Sequence, residues 1–267
     1  MADILEEIVD NERIEVDAAK QKLPFYELAK RVEQFLTENP LKPRFMRDTL
    51  MASKSGIIAE FKRKSPSKGW IHADAVPTDV VPLYEKNGAS AASILVDEKY
   101  FGGSKHFIEM VRPMVSLPIL YKEFIVDEYQ LYEAKLAGAD TVLLIAATLS
   151  APMVKKLVET AHQLGLEILF EVHSVSELNK VVPETDMLGV NNRHLGTFVT
   201  DVQWSFDIAD KLSKDFLLVS ESGISNPQTV KELRNVGYRG FLIGECFMKE
   251  QNPGEALKTF IQNIEQC

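Results

Sequence analysis

Glu60 and Lys62 stand two residues apart at the end of an apolar run, in Gly56-Ile57-Ile58-Ala59-Glu60-Phe61-Lys62-Arg63-Lys64-Ser65-Pro66-Ser67. On a β-strand, residues i and i+2 point to the same face. An acid and a base therefore leave one side of a strand where the chain turns into a polar loop. A core has no use for such a pair, whereas a catalytic or anion-binding cleft does. Four further segments repeat the arrangement: Leu120-Tyr121-Lys122-Glu123-Phe124, Leu169-Phe170-Glu171-Val172-His173, Gly189-Val190-Asn191-Asn192-Arg193 and Val219-Ser220-Glu221-Ser222-Gly223-Ile224. Leu120 shares a face with Lys122, Leu169 with Glu171 and Val219 with Glu221, so an apolar layer is topped by a charged one. Burying so many unpaired ions is very costly. Converging on one mouth, they make an acid–base site in which mutual charge and partial burial shift pKa values toward neutrality.

The elements that position these residues follow from rhythm. Short β-rich runs are expected over 56–61, 91–96, 118–122, 141–145, 167–171, 187–191, 216–220 and 240–244. Amphipathic helical stretches fill the gaps, among them 127–137, 151–164, 175–181 and 227–236. Gly138, Gly165 and Gly237 follow three of these stretches as C-cap glycines. Eight strands alternating with helices over about 220 residues fit a single (β/α)8 TIM barrel. An open doubly wound sheet would carry a glycine-rich fingerprint after its first strand, and none is present. Residues 1–50 read as a helical N-terminal extension, with Ile4, Leu5, Ile8 and Val9 at helical spacing, then Ile14 and Ala18-Ala19. A second helix is expected from Pro24 to Leu36, broken at Asn39-Pro40. Residues 51–267 form the barrel, and no linker divides the chain.

In such a barrel the chemistry sits at the C-terminal ends of the strands. Ser222-Gly223-Ile224 and Ile243-Gly244-Glu245 place small residues after the seventh and eighth strands. Backbone N–H groups there, with a short helix N-terminus, suit a phosphate. The Glu245 carboxylate is expected to point outward while its backbone N–H donates. The implied substrate is a small phosphorylated molecule.

Composition excludes several alternatives. Hydrophobic residues at 45% and charged residues at 26% supply a full core, which argues against disorder. A net charge of −9 argues against a nucleic-acid surface. Cys246 and Cys267 form no disulfide framework, and the five histidines show no paired spacing, so no metal site is expected. No apolar run reaches the roughly 20 residues that span a bilayer. Residues 1–11 are rich in acids, unlike a signal peptide, and a cytoplasmic location is expected.

The chain resembles the indole-3-glycerol phosphate synthase family of tryptophan biosynthesis along essentially its whole length. The resemblance rests on Ile58-Ala59-Glu60-Phe61-Lys62-Arg63-Lys64-Ser65-Pro66-Ser67, Glu98-Lys99-Tyr100-Phe101-Gly102-Gly103-Ser104, Pro118-Ile119-Leu120-Tyr121-Lys122-Glu123-Phe124-Ile125, Glu171-Val172-His173, Gly189-Val190-Asn191-Asn192-Arg193, Ser220-Glu221-Ser222-Gly223-Ile224 and Leu242-Ile243-Gly244-Glu245. Cys246-Phe247 departs from the small residue usual in the family after Gly244-Glu245.

The resemblance implies a carboxy-lyase that closes, decarboxylates and dehydrates 1-(2-carboxyphenylamino)-1-deoxyribulose 5-phosphate. It makes Lys122 the general acid, Lys62 the partner of the substrate carboxylate and Glu171 the base. Glu60, Asn191 and Glu221 orient them, and either lysine could be the acid in dehydration. Ser65, Arg193, Ser222, Gly223, Gly244 and Glu245 would hold the phosphate end. Phe101, Phe124, Leu143 and Leu195 would wall the aromatic ring. No cofactor, nucleic acid or membrane is implied, and the oligomeric state is a monomer or a weak homodimer. A Schiff-base aldolase using Lys122 or Lys62, an isomerase of a related phosphoribosyl amine and a non-catalytic phosphosugar-binding barrel remain the rival readings.

Overall fold

The computed structural model describes residues 4–38, 44–194, 196 and 199–266. Leu195, Cys267 and the Asn39-Pro40 break lie outside the described residues. Eight parallel strands close into one barrel: β1 (Ile57–Phe61), β2 (Ala91–Leu95), β3 (Ile119–Lys122), β4 (Thr141–Ile145), β5 (Glu167–Val172), β6 (Met187–Asn191), β7 (Leu217–Glu221) and β8 (Tyr238–Ile243). Each pairs with its neighbours in sequence, and β8 closes the ring by pairing Phe241 with Ile57. This is a TIM barrel, with strands buried on both faces as all-parallel sheets require.

Period-two alternation separates two cores. Ile58, Leu120, Leu143, Leu169, Val219 and Leu242 pack inside the barrel. Their neighbours Ile57, Tyr121, Leu144, Phe170, Leu218 and Phe241 pack outward against the helices. The expected strands all form, with small differences at their ends. β8 begins two residues early, with an irregular register between Tyr238 and Gly240, and β7 runs on to Glu221. The helix expected over 175–181 is a 3-10 segment, Val175–Lys180.

The bottom of the barrel is plugged by a short helix, Met46–Ala52, whose Met46 and Leu50 join the inner core. Its preceding residue, Phe45, offers no side-chain cap. Glu167, at the start of β5, supplies one by accepting the N–H groups of Met46 and, at 3.3 Å, Arg47. Burial is the largest influence on this carboxyl and pushes it up to about 7, against those two hydrogen bonds. A pKa raised from 4.5 on folding means a stabilising contribution complete below pH 4.5 and lost as pH rises through 7. Glu167→Ala strands the buried Met46 N–H and should lower stability by about 1–3 kcal/mol in urea unfolding, with kcat unchanged.

Two longer helices precede that plug, α1 (Ile4–Lys22) and α2 (Phe25–Glu38). They lie against the barrel helix α3 (Glu128–Ala137): Tyr129 Oη donates to Leu23 O at 2.9 Å, Lys20 pairs with Asp127 at 2.7 Å, and Phe25 meets Tyr132 edge-on at 5.0 Å. α1 buries Ile8, Val9, Glu12 and Val16, while Ile14 is exposed.

Candidate active site

The inner face carries the chemistry upward in register. Above the apolar layer, Glu60, Lys122, Glu171, Asn191 and Glu221 stand at the ends of β1, β3, β5, β6 and β7, with Lys62 just beyond β1. They surround a cavity of about 520 Å3 at the C-terminal mouth. Every sequence-predicted site residue among the described residues lines it, from Ser65 and Arg193 to Gly244 and Glu245 and from Phe101 to Leu143. That volume suits a small organic ligand.

Two ion clusters organise the floor. Lys62 Nζ lies 2.6 Å from Glu60 Oε1. Lys122 Nζ donates to Glu171 Oε2 at 3.1 Å and to Glu221 Oε2 at 3.2 Å. The three carboxylates are buried, while the Lys62 and Lys122 side chains are 17% and 13% exposed and so remain reachable from the cavity.

The two glutamates on Lys122 titrate in opposite directions. Burial disfavours the Glu171 anion, but Lys122, His173 and the Asn191 amide outweigh it and hold Glu171 well below the usual carboxylate range. Glu221 is pushed up to about 8 by burial and by Glu171, although Lys122 opposes both. Burial also works against the Lys122 ammonium, yet Glu171, Glu221 and Glu60 raise its pKa. Near neutrality the cluster therefore holds an ammonium, one carboxylate and one protonated carboxyl. Pairs of acids driven apart in this way mark acid–base sites.

Glycine makes room for these carboxylates. A Cβ on Gly189 would sit 2.2 Å from Glu221 Oε1, and one on Gly244 would sit 2.4 Å from Glu60 Oε1. Gly244 thus clears space for Glu60. Gly189→Ala must displace the Glu221 carboxylate, and the added Cβ would also lie 3.2 Å from Leu169 Cδ1. An ångström-scale shift of this kind should lower kcat about 100-fold. Steady-state kinetics beside a circular dichroism spectrum would separate that effect from misfolding.

At the far side, Ser222 and Gly223 both take left-handed conformations, with φ of 69° and 78°. A serine there is strained, and such strain concentrates at ligand clamps. Gly244 caps a four-residue helix, Glu245–Met248. Arg193 donates to Ser67 at 2.8 Å, and Lys68 pairs with Glu245 at 2.5 Å. Both links tie the loop after β1 to the opposite rim. The Glu245 carboxylate therefore turns toward Lys68 instead of pointing outward into solvent, because the loop brings an ammonium to it.

Phe101 and Phe124 lie 6.2 Å apart and form one wall of the cavity. Three contributors escaped sequence reasoning. Ile4, Leu5 and Ile8 of α1 line the cavity, though nothing in their spacing reveals where the helix docks. Leu95 and Ile145 extend the apolar wall, and only their strand parity could have pointed inward. His173, with Nε2 3.1 Å from Glu171 Oε1, shares that glutamate's face two residues on.

A family model described as indole-3-glycerol phosphate synthase matches residues 5–260. A protein so described from Bacteroides thetaiotaomicron is 54% identical over 99% of this chain and 100% of its own length. One from Carboxydothermus hydrogenoformans is 41% identical over 96% of this chain and 99% of its own. Among solved structures, a mutant tryptophan synthase alpha-subunit from Pyrococcus furiosus superposes with a TM-score of 0.61 at 15% identity, over 80% of this chain and 99% of that one. That likeness shows the barrel fold alone.

Proposed function

The chain belongs to the indole-3-glycerol phosphate synthase family, and we propose how the residues at its mouth divide that reaction among themselves. The enzyme is a carboxy-lyase of tryptophan biosynthesis. It converts 1-(2-carboxyphenylamino)-1-deoxyribulose 5-phosphate to indole-3-glycerol phosphate, carbon dioxide and water.

The backbone turns at Ser222-Gly223 and Gly244, with Ser65, Arg193 and Glu245 around them, hold the phosphate. The aromatic ring lies against Phe101, Phe124 and Leu143. Lys122 donates a proton to the ketone oxygen as the ring carbon bearing the carboxylate attacks the ketone carbon. Lys62, positioned by Glu60, faces that carboxylate. The carbon–carbon bond to the carboxylate then breaks, carbon dioxide leaves, and its bonding electrons restore the aromatic ring. In dehydration Glu171 takes a proton from the carbon beside the amine, and the hydroxyl departs as water with a proton from a lysine. Glu221, protonated up to about pH 8 and 3.2 Å from Lys122, can return a proton to it.

The observation that carries this reading is the single ammonium held between two buried glutamates of opposite titration. Among the described residues no helix is long and apolar enough to cross a membrane. A monomer working in the cytoplasm fits the reading. Mixing the purified chain with the substrate, without added metal, should give rising indole fluorescence. Tight substrate binding with no fluorescence would sink the proposal in favour of a binding protein.

A further inference from the structure

Behind the aromatic wall, three carboxyl groups from three separate segments meet under the N-terminal helix. Glu12 of α1, Asp97 after β2 and Glu123 after β3 are 3%, 3% and 5% exposed. One oxygen from each lies within 4.8 Å of the other two. Some of their hydrogen-bonding capacity is met. Gln130 Nε2 donates to Glu12 Oε2 at 3.1 Å, the Phe124 N–H to Glu123 Oε1 at 2.9 Å, and the N–H groups of Tyr100 and Phe101 to Asp97 Oδ1 at 2.5 and 3.2 Å. Glu12 Oε1 and Asp97 Oδ2 are buried with no donor group among the described residues, so without an ion the two carboxyl groups bond only by sharing a proton. The ammonium whose charge reaches both Glu12 and Glu123 is Lys105, and it is committed to Glu133 at 2.6 Å.

A second feature points to the same place. Tyr121 is fully buried on the outer face of β3, and its hydroxyl has no hydrogen-bond partner among the described residues. After burial, the charges that act on that hydroxyl are those of Glu123, Glu133, Glu12 and Glu15. A buried phenol that feels the charge of Glu123 and Glu12 and bonds to neither leaves its oxygen available to an ion. Buried polar atoms without a donor or acceptor call for a partner.

We propose that Glu12, Asp97 and Glu123, with Tyr121 beside them, bind a hard divalent cation, with Ca2+ the best fit. The donors are all oxygen, which disfavours zinc or copper. Ca2+ takes oxygens at about 2.3–2.6 Å, so ligands on opposite sides stand up to about 5 Å apart. Mg2+ keeps several of its waters and is seldom held by an all-protein cage, whereas this cluster offers three carboxyl groups that are 3–5% exposed.

The position gives the ion a role distinct from the acid–base chemistry. Asp97 caps the short helix Glu98–Phe101, which carries Phe101. Glu123 adjoins Phe124, and Glu12 lies one turn from Ile8 on the same face of α1. The ion fastens α1 to both phenylalanines of the cavity wall, so loading should lower KM and leave kcat unchanged.

Tb3+, which binds Ca2+ sites and emits when a nearby tyrosine is excited, tests this on the full chain. The expected result is a saturable tyrosine-sensitised emission that Ca2+ displaces. Glu12→Gln and Glu123→Gln, which keep side-chain shape, should each weaken binding at least about tenfold, since a charged ligand is removed. Millimolar CaCl2 should raise the Tm of the native chain reversibly with chelator, and should not raise that of the variants. Emission of equal strength in the variants would overturn the proposal by placing Tb3+ on surface acids. So would the absence of both emission and a Tm shift up to about 10 mM Ca2+, beyond the weakest range of natural sites, because the three carboxyls would then hold protons instead.

Discussion

Lys122→Met should lower kcat about 1,000-fold, within the range that a positioned general acid contributes. The ring cannot close onto the ketone unless the oxygen receives a proton as the bond forms, and among the residues assigned here Lys122 alone stands between two acids that keep it charged. Lys62 is held against Glu60 at 2.6 Å and cannot take over without leaving that partner. The same substitution has a structural signature. It removes the ammonium that holds Glu171 down and opposes the rise of Glu221. Breaking a buried ion pair from one side costs about 3–5 kcal/mol. With Glu221 raised further and Glu171 less depressed, the variant loses more stability than the native chain as pH climbs. In the native chain the depressed Glu171 works in the opposite direction, stabilising above pH 4.5 and losing that contribution only as the solution becomes very acidic. Urea titrations of both proteins from pH 5 to 9 should therefore converge toward the acid end and diverge toward the alkaline end. Near-native turnover by the variant would remove Lys122 from the acid's place.

Strand parity made Lys62, Lys122, Glu171 and Glu221 legible, because alternation on a strand is strict and one apolar neighbour on each strand marks the inward face. The barrel followed from spacing for the same reason. What stayed hidden depends on tertiary placement. Gly189 has no side chain to read, and its need appears only when Glu221 occupies the space beside it. The Lys68–Glu245 pair joins residues 177 apart in sequence. Ile4, Leu5 and Ile8 form a recognisable apolar stripe, but a stripe does not say which surface it covers. Glu12 falls among buried residues of that helix, where an acid would be assigned to solvent from its type alone. Its partners Asp97 and Glu123 come from two different strand ends, so no local spacing could assemble the cluster.

Glu171→Gln should lower kcat by about 100- to 10,000-fold while changing KM little, because it removes a proton acceptor and keeps a hydrogen-bonding group of the same shape. A carboxylate held well below its usual range is a poor base at rest. That weakness is conditional on Lys122. Once Lys122 has passed its proton to the ketone oxygen, the strongest of the influences that depress Glu171 is gone and only His173 and Asn191 still lower it, while burial, the largest influence on the group, pushes its pKa upward. The base therefore strengthens when ring closure is complete and dehydration is due. Order in the reaction follows from one shared proton inventory, with no movement of the backbone required. Glu171 also raises Glu221 by charge and by hydrogen bonding. In Glu171→Gln the Glu221 value should drop from about 8 toward 4.5. The stability that Glu221 loses between those pH values in the native chain should shrink accordingly, giving a flatter profile in urea unfolding. A variant that keeps full rate would exclude Glu171 as the base. One that loses rate with an unchanged stability profile would leave the base in place and break the proposed coupling among Glu171, Lys122 and Glu221.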